Sequence, residues 1–185
     1  MPASRDQITR ALNGFLAEIE HKAYRMAQIA LGHDEDALDA VQDAMIQLTR
    51  RYAERPQQEW RPLFYRILEN RIRDMKRRRV VRSRVMAWMP WSADDGDDAP
   101  DPLAQAPDHA PGPGAHAEGD EMMEALQVAL QKLPARQREA FLLRNMEGLD
   151  VAQTAAAMGC SDGSVKTHYS RAVQSLRDQL GEFWQ

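Results

Sequence analysis

Between Ala93 and Glu121 the chain has no lysine or arginine, nine aspartates and glutamates, five prolines, four glycines and seven alanines. No hydrophobic periodicity survives there, so the segment cannot bury a core and reads as a flexible anionic linker over residues 92–120. Whatever folds must fold on either side of it, within 4–91 and within 121–181. Pieces of this size support only small cores. Cys160 is the single cysteine, which removes disulfide staples and Cys-based metal clusters and fits a reducing compartment. Apolar spacing must therefore specify both pieces. It is helical throughout, with no persistent strand-like alternation and no internal repeat, so the expected fold class is all-α: two small helical domains joined by a tether.

The first helix is expected from Ser4, with a capping box to Gln7, and ends at Gly32. Its apolar positions are Ile8, Leu12, Phe15, Leu16, Ile19, Ala23, Met26 and Ile29. The second opens on acids suited to its dipole, "DEDALDAVQDAM". Leu38, Val41, Met45, Leu48 and Tyr52 form its expected buried stripe, and Asp36, Asp39, Gln42, Asp43 and Gln47 its outer side. Pro56 breaks it, and "ERPQQEWRP" reads as a loop or turn. A third helix is expected from Pro62, with Leu63, Ile67, Leu68, Ile72 and Met75 inward.

That third helix ends in "RDMKRRRVVRSR"; from Arg66 to Arg84 there are nine lysines and arginines against Glu69 and Asp74. The chain as a whole carries a formal charge of −4, so any nucleic-acid contact must come from local asymmetry of charge. Beyond the linker, "EMMEALQVALQKL" and "ARQREAFLLRNMEG" read as amphipathic helices stopped near Pro134 and Gly148. "VAQTAAAMGCSDGSVKTHYSRA" then has the layout of a helix-turn-helix. Val151–Met158 is short and alanine-rich, Gly159 permits the turn, Cys160 fills it, and Ser161 caps the next helix. There Val165, Tyr169, Ala172, Val173, Leu176 and Leu180 mark the core side. Ser164, Lys166, Thr167, His168, Ser170, Arg171 and Gln174 mark the outer side, where hydroxyls and cations suit phosphates and base edges in a major groove.

Both halves resemble the extracytoplasmic-function (ECF) sigma factors of the sigma-70 family of bacterial RNA polymerase. In "LPARQREAFLLRNMEGLDVAQTAAAMGCSDGSVKTHYSRAVQSLRDQL", Leu133, Pro134, Arg138, Phe141, Leu142, Gly148, Ala155, Gly159, Gly163, Val165, Lys166, Arg171, Ala172 and Leu176 match the family's fourth conserved region. In "DALDAVQDAM" and "LFYRILENRIRDMKRR", Ala37, Asp39, Val41, Gln42, Asp43, Tyr65, Arg66, Ile67, Asn70, Asp74, Arg77 and Arg78 match its second. The departures are Leu38 for an acid, Ala40 for a large aliphatic residue, Met45 for an aromatic and Leu63 for a tryptophan. Trp60, Phe64 and Tyr65 flank that last site.

The resemblance implies a non-catalytic subunit that lends promoter specificity to core RNA polymerase and opens the duplex. It makes 4–91 region 2 and 121–181 region 4. Asp39, Gln42 and Asp43 would dock on the clamp helices of the largest subunit, with a flap contact for region 4. Ala53–Trp60 would form the minus-ten specificity loop, with Trp60, Phe64, Tyr65, Asn70, Arg73, Arg77 and Arg78 on the melted non-template strand. Ser164, Lys166, Thr167, His168, Ser170 and Arg171 would read the minus-thirty-five element. The acidic tether, including Asp94, Asp95, Asp97 and Asp98, would thread a positively charged polymerase channel. Family members are commonly silenced by an anti-sigma partner.

Two other readings fit parts of the chain. A helix-turn-helix regulator would use the second half and leave the "DAVQD" ridge without a task. A helical module binding RNA nonspecifically would be indifferent to promoter sequence. An enzyme is not expected: there is no metal-ligand spacing, Gly-rich phosphate loop or nucleophile motif, and no cofactor is implied. No apolar run spans a bilayer and the start lacks the pattern of a secretory signal, so a cytoplasmic location without membrane insertion is expected.

Overall fold

The first half is held by a seam of small residues. On the second helix Ala37, Ala40 and Ala44 have no exposed surface, and with Val41 and Leu48 they face the core. Methyl side chains let neighbouring backbones approach closely. Leu38 is accordingly displaced from the expected buried stripe and is 47% exposed, as is Ile46 at 48%. The alanines replace large side chains on the inner face, and the apolar residues beside them turn outward.

The computed structural model describes residues 5–88 and 117–181, with side chains over 5–81 and 121–181. These residues form seven helices: α1 Arg5–Leu31, α2 Asp34–Tyr52, α3 Gln57–Trp88, α4 Ala117–Lys132, α5 Ala135–Asn145, α6 Val151–Met158 and α7 Asp162–Leu180. No strand occurs among the described residues. Ser4, and the linker as far as residue 116, lie outside them; from Ala117 the backbone is already helical, four residues inside the expected linker boundary of 120. α1, α2 and α3 pack on one another, and α5, α6 and α7 form the second cluster with α4 against α7.

α3 begins at Gln57 rather than Pro62. Pro56 accepts from Glu59 N at 2.9 Å and starts the first turn. Pro62 can sit inside because the bond it forfeits would have gone to Gln58, whose carbonyl lies in an exposed turn open to water. The segment read as a loop is therefore one turn, Tyr52–Pro56, followed by helix.

In the second half the expected Gly159 turn and Ser161 cap are present, beside a capping box that was not expected. Asp150 and Gln153 form a reciprocal capping box at the start of α6, with bonds of 2.7 Å and 3.1 Å. Gly159 ends α6 with φ +63°, a conformation that penalises any Cβ. Ser161 Oγ accepts from Ser164 N at 3.2 Å and caps α7. Val165, Ala172, Leu176 and Leu180 are buried as expected, against a core that includes Leu142, Leu143, Leu149 and Met158.

Candidate nucleic-acid interface

With its buried stripe anchored, α7 turns a polar face outward. Lys166, Thr167, Ser170 and Arg171 are exposed, and Ser164 and His168 are half-buried. Two of the hydroxyls are also tied locally: Thr167 Oγ1 donates to Gly163 O at 3.0 Å, and Ser164 Oγ lies 2.9 Å from Ser161 Oγ. Both keep lone pairs for an incoming donor. Tyr169 is held sideways, stacked on Phe141 at 6.2 Å with the Arg144 guanidinium 5.9 Å from its ring. Cys160 N closes the turn on Ala155 O at 3.1 Å. Partial burial pushes the Cys160 thiol above its usual range, so it is a poor thiolate there.

α3 presents Asn70, Arg77 and Arg78 to solvent, Arg77 being 3.3 Å from Asp74. Arg73 is half-buried, with Nη2 3.9 Å from Glu139 Oε1 of α5. The aromatic residues behave differently from expectation. Trp60, Phe64 and Tyr65 are all buried, the last two in an edge-to-face pair at 5.2 Å. They lie on the side of α3 that packs within the protein, so Phe64 and Tyr65 offer no ring surface to a strand. Trp60 borders an opening. A groove of about 790 Å³ lies between Gln7 and Ile8 of α1 and the Ala53–Gln57 turn, with Trp60 in its wall. The Trp60 Nε1–H has no acceptor among the described residues.

On α2, Asp39, Gln42 and Asp43 are exposed. Asp43 is engaged from α3 by Arg71 Nη2 at 2.5 Å, and Asp36 is paired with Arg79. Leu38, Gln42 and Ile46 recur every four residues and share one face, flanked by these acids. The outer side of α2 is thus an apolar strip with a carboxylate border, a composition suited to a partner helix bearing arginines.

Sequence reasoning missed the charges between the halves. Arg61 Nη1 donates to Glu147 Oε2 at 3.0 Å, and Nη2 to Glu18 Oε1 at 2.5 Å. Glu69, Arg138 and Glu139 are buried together. Burial, reinforced by Glu139, raises the Glu69 carboxyl to about 8 against the pull of Arg138, Arg73 and Lys76. No cluster of metal-binding type occurs among the described residues.

Comparison with known proteins agrees with this geometry. Residues 14–81 match the family model for Sigma-70 region 2, and residues 123–176 that for Sigma-70, region 4. The chain is 30% identical to ECF RNA polymerase sigma factor SigM of Mycobacterium tuberculosis, over 85% of this chain and 71% of that one. It is 29% identical to ECF RNA polymerase sigma factor SigE of Mycolicibacterium smegmatis over 87% of this chain, but spans only 58% of that relative's length. Among solved structures, the sigma factor RpoE in complex with the anti-sigma factor NepR from Bartonella quintana is similar with a TM-score of 0.60 at 23% identity, covering 91% of this chain and 97% of that one. CnrH in complex with the cytosolic domain of CnrY is similar with a TM-score of 0.60 at 19% identity, covering 94% and 90%. Regions 2 and 4 occur in that order, with a relative matched across most of both chains: the chain belongs to the extracytoplasmic-function sigma factors of the sigma-70 family.

Proposed function

We propose that this chain is the promoter-specificity subunit of a bacterial RNA polymerase, a non-catalytic factor that recruits core enzyme to promoters and opens them. The observation that carries this reading is the pairing of region 2 with a capped helix-turn-helix whose outer face bears Lys166, Thr167, Ser170 and Arg171. Those residues, with Ser164 and His168, would meet the minus-thirty-five element in the major groove. Asn70, Arg73, Arg77 and Arg78 would hold the melted strand by its phosphates. The groove beside Trp60 has room for one extruded base, with the indole in its wall. Phe64 and Tyr65 support α3 from within the fold. Asp39, Gln42 and Asp43, with Leu38 and Ile46, form the ridge for the polymerase clamp helices, and region 4 takes the flap. The stretch from 92 to 120 serves as tether.

An anti-sigma protein is the expected regulator, since the similar RpoE of Bartonella quintana forms a complex with the anti-sigma factor NepR. No helix among the described residues is long and apolar enough to cross a membrane. Run-off transcription with sigma-free core polymerase tests the reading. Addition of the chain should start transcripts at defined positions. Promoter binding without initiation would instead identify a helix-turn-helix regulator.

A further inference from the structure

Val80 and Val81 stand side by side in the cationic run of α3, and the core uses neither. Val81 is 55% exposed and Val80 50%. A β-branched residue is a modest helix former, so an outward valine here adds nothing to local stability and buries nothing. The helix also fixes where Val81 points. Arg79, two residues earlier and so on nearly the opposite side, is paired with Asp36 and donates from Nη1 to Leu31 O at 3.4 Å. That clamp to the α1–α2 corner turns Val81 away from the protein.

At helical spacing Val81 continues the exposed stripe of Asn70 and Arg77, and Arg78 lies on its other flank. Both arginines are exposed. An apolar spot between two cations complements a surface that has an apolar spot between two anions. Duplex DNA offers one: phosphates line both rims of the major groove, and the thymine C5-methyl is the apolar group on a base edge. Position favours paired DNA over the melted strand. Asn70 and Val81 are about 16 Å apart along the helix axis, or about five base-pair steps of B-DNA. The chain leaves α3 for region 4 from this end. With region 4 on the upstream element, this end lies toward the DNA that stays paired.

We propose that Val81 is a specificity-determining residue that packs on a thymine C5-methyl in the duplex just upstream of the melted segment, with Arg77 and Arg78 on the backbone where the strand leaves that duplex. This rests on the reading of α3 as the minus-ten surface and extends it from the melted strand into paired DNA.

Deoxyuridine tests it, because it pairs as thymidine does but lacks the C5-methyl. Holoenzyme reconstituted from core polymerase and the full chain is bound to promoter duplexes carrying thymidine or deoxyuridine. The substitution is placed in turn on each strand, over about one helical turn upstream of the minus-ten element. At one position deoxyuridine should weaken wild-type binding about fourfold, the loss expected for one buried methyl group. Val81→Ala should bind the thymidine template more weakly than wild type and be indifferent to the substitution. The site is exposed, so this variant should keep its helical circular dichroism and urea midpoint. Arg77→Ala should weaken binding to every template alike and retain the deoxyuridine penalty. A penalty that survives in Val81→Ala, whatever its overall affinity, overturns the assignment of Val81. Absence of a penalty at every position overturns it too. In both cases run-off transcripts that still start at defined positions leave the proposed function standing. If no defined transcripts start, that function fails and this inference with it.

Discussion

Individual residues divide into those that hold α3 in place and those that it displays. Phe64 has no exposed surface and touches Tyr65 edge-on; Phe64→Ala should cost about 3–5 kcal/mol in urea unfolding through the cavity it leaves. Arg77→Ala and Arg78→Ala, on the exposed side, should stay within about 0.5 kcal/mol of wild type while weakening binding to promoter DNA. Trp60→Phe keeps most of the ring volume but reshapes the wall of the groove. Its expected signature is reduced discrimination among minus-ten sequences, read by comparing transcription from single-base promoter variants. At this scale the sequence was only half legible. The type and spacing of Trp60, Phe64 and Tyr65 were plain, but apolar spacing does not say which ring borders solvent. That is decided by where α1 and α6 lie. Glu139 and Glu147 carried no signal at all, since a carboxylate on a short amphipathic helix reads as solvated until another element covers it.

Elements were far more legible, because capping chemistry is local. The Asp150–Gln153 box, Gly159 in the left-handed region and the Ser161 cap all act within four residues of themselves; the last two were anticipated from neighbours alone, and the box went unnoticed. α3 was less so: Pro56 and Pro62 suggested a loop between them, yet one proline precedes the helix and the other forfeits a bond in an exposed turn. The exposed Leu38 shows the same limit, as a stripe of large residues was expected where alanines make the contact. Gly159→Ala meets only the end of Arg66 in space, so its expected cost of about 1–2 kcal/mol is conformational and should appear equally in thermal and urea midpoints. For α7, Lys166→Ala and Arg171→Ala should each reduce the salt slope of promoter binding by about 0.9 if they neutralise one phosphate apiece. A substitution that changes base preference but not that slope would mark a base-reading residue instead.

At the scale of the molecule, the packed halves make stability a function of pH. Glu69 faces Glu139 and Arg138 of α5 and Arg73 and Lys76 of its own helix, with Arg136 paired to Glu139 and Arg79 beside Lys76. Its carboxyl is raised from 4.5 to about 8, first by burial and then by Glu139. Between about pH 5 and pH 8 the folded chain therefore keeps a proton that the unfolded chain has released, and stability falls as pH rises through that window. Lys76, lowered to about 8 by burial and Arg138, is charged in both states over most of it and adds little slope. Urea midpoints should drop between about pH 5.5 and pH 8, and Glu69→Gln should flatten the curve. The alanine seam of α2 carries a further implication. With methyl groups spacing α2 from its neighbours, little slack separates the outward ridge from the cations of α3, so one rigid block fixes the offset between protein-facing and strand-facing surfaces. A bulkier residue at Ala40 would act as a shim, shifting that offset without touching either surface, and would spoil their joint engagement while leaving each able to bind alone.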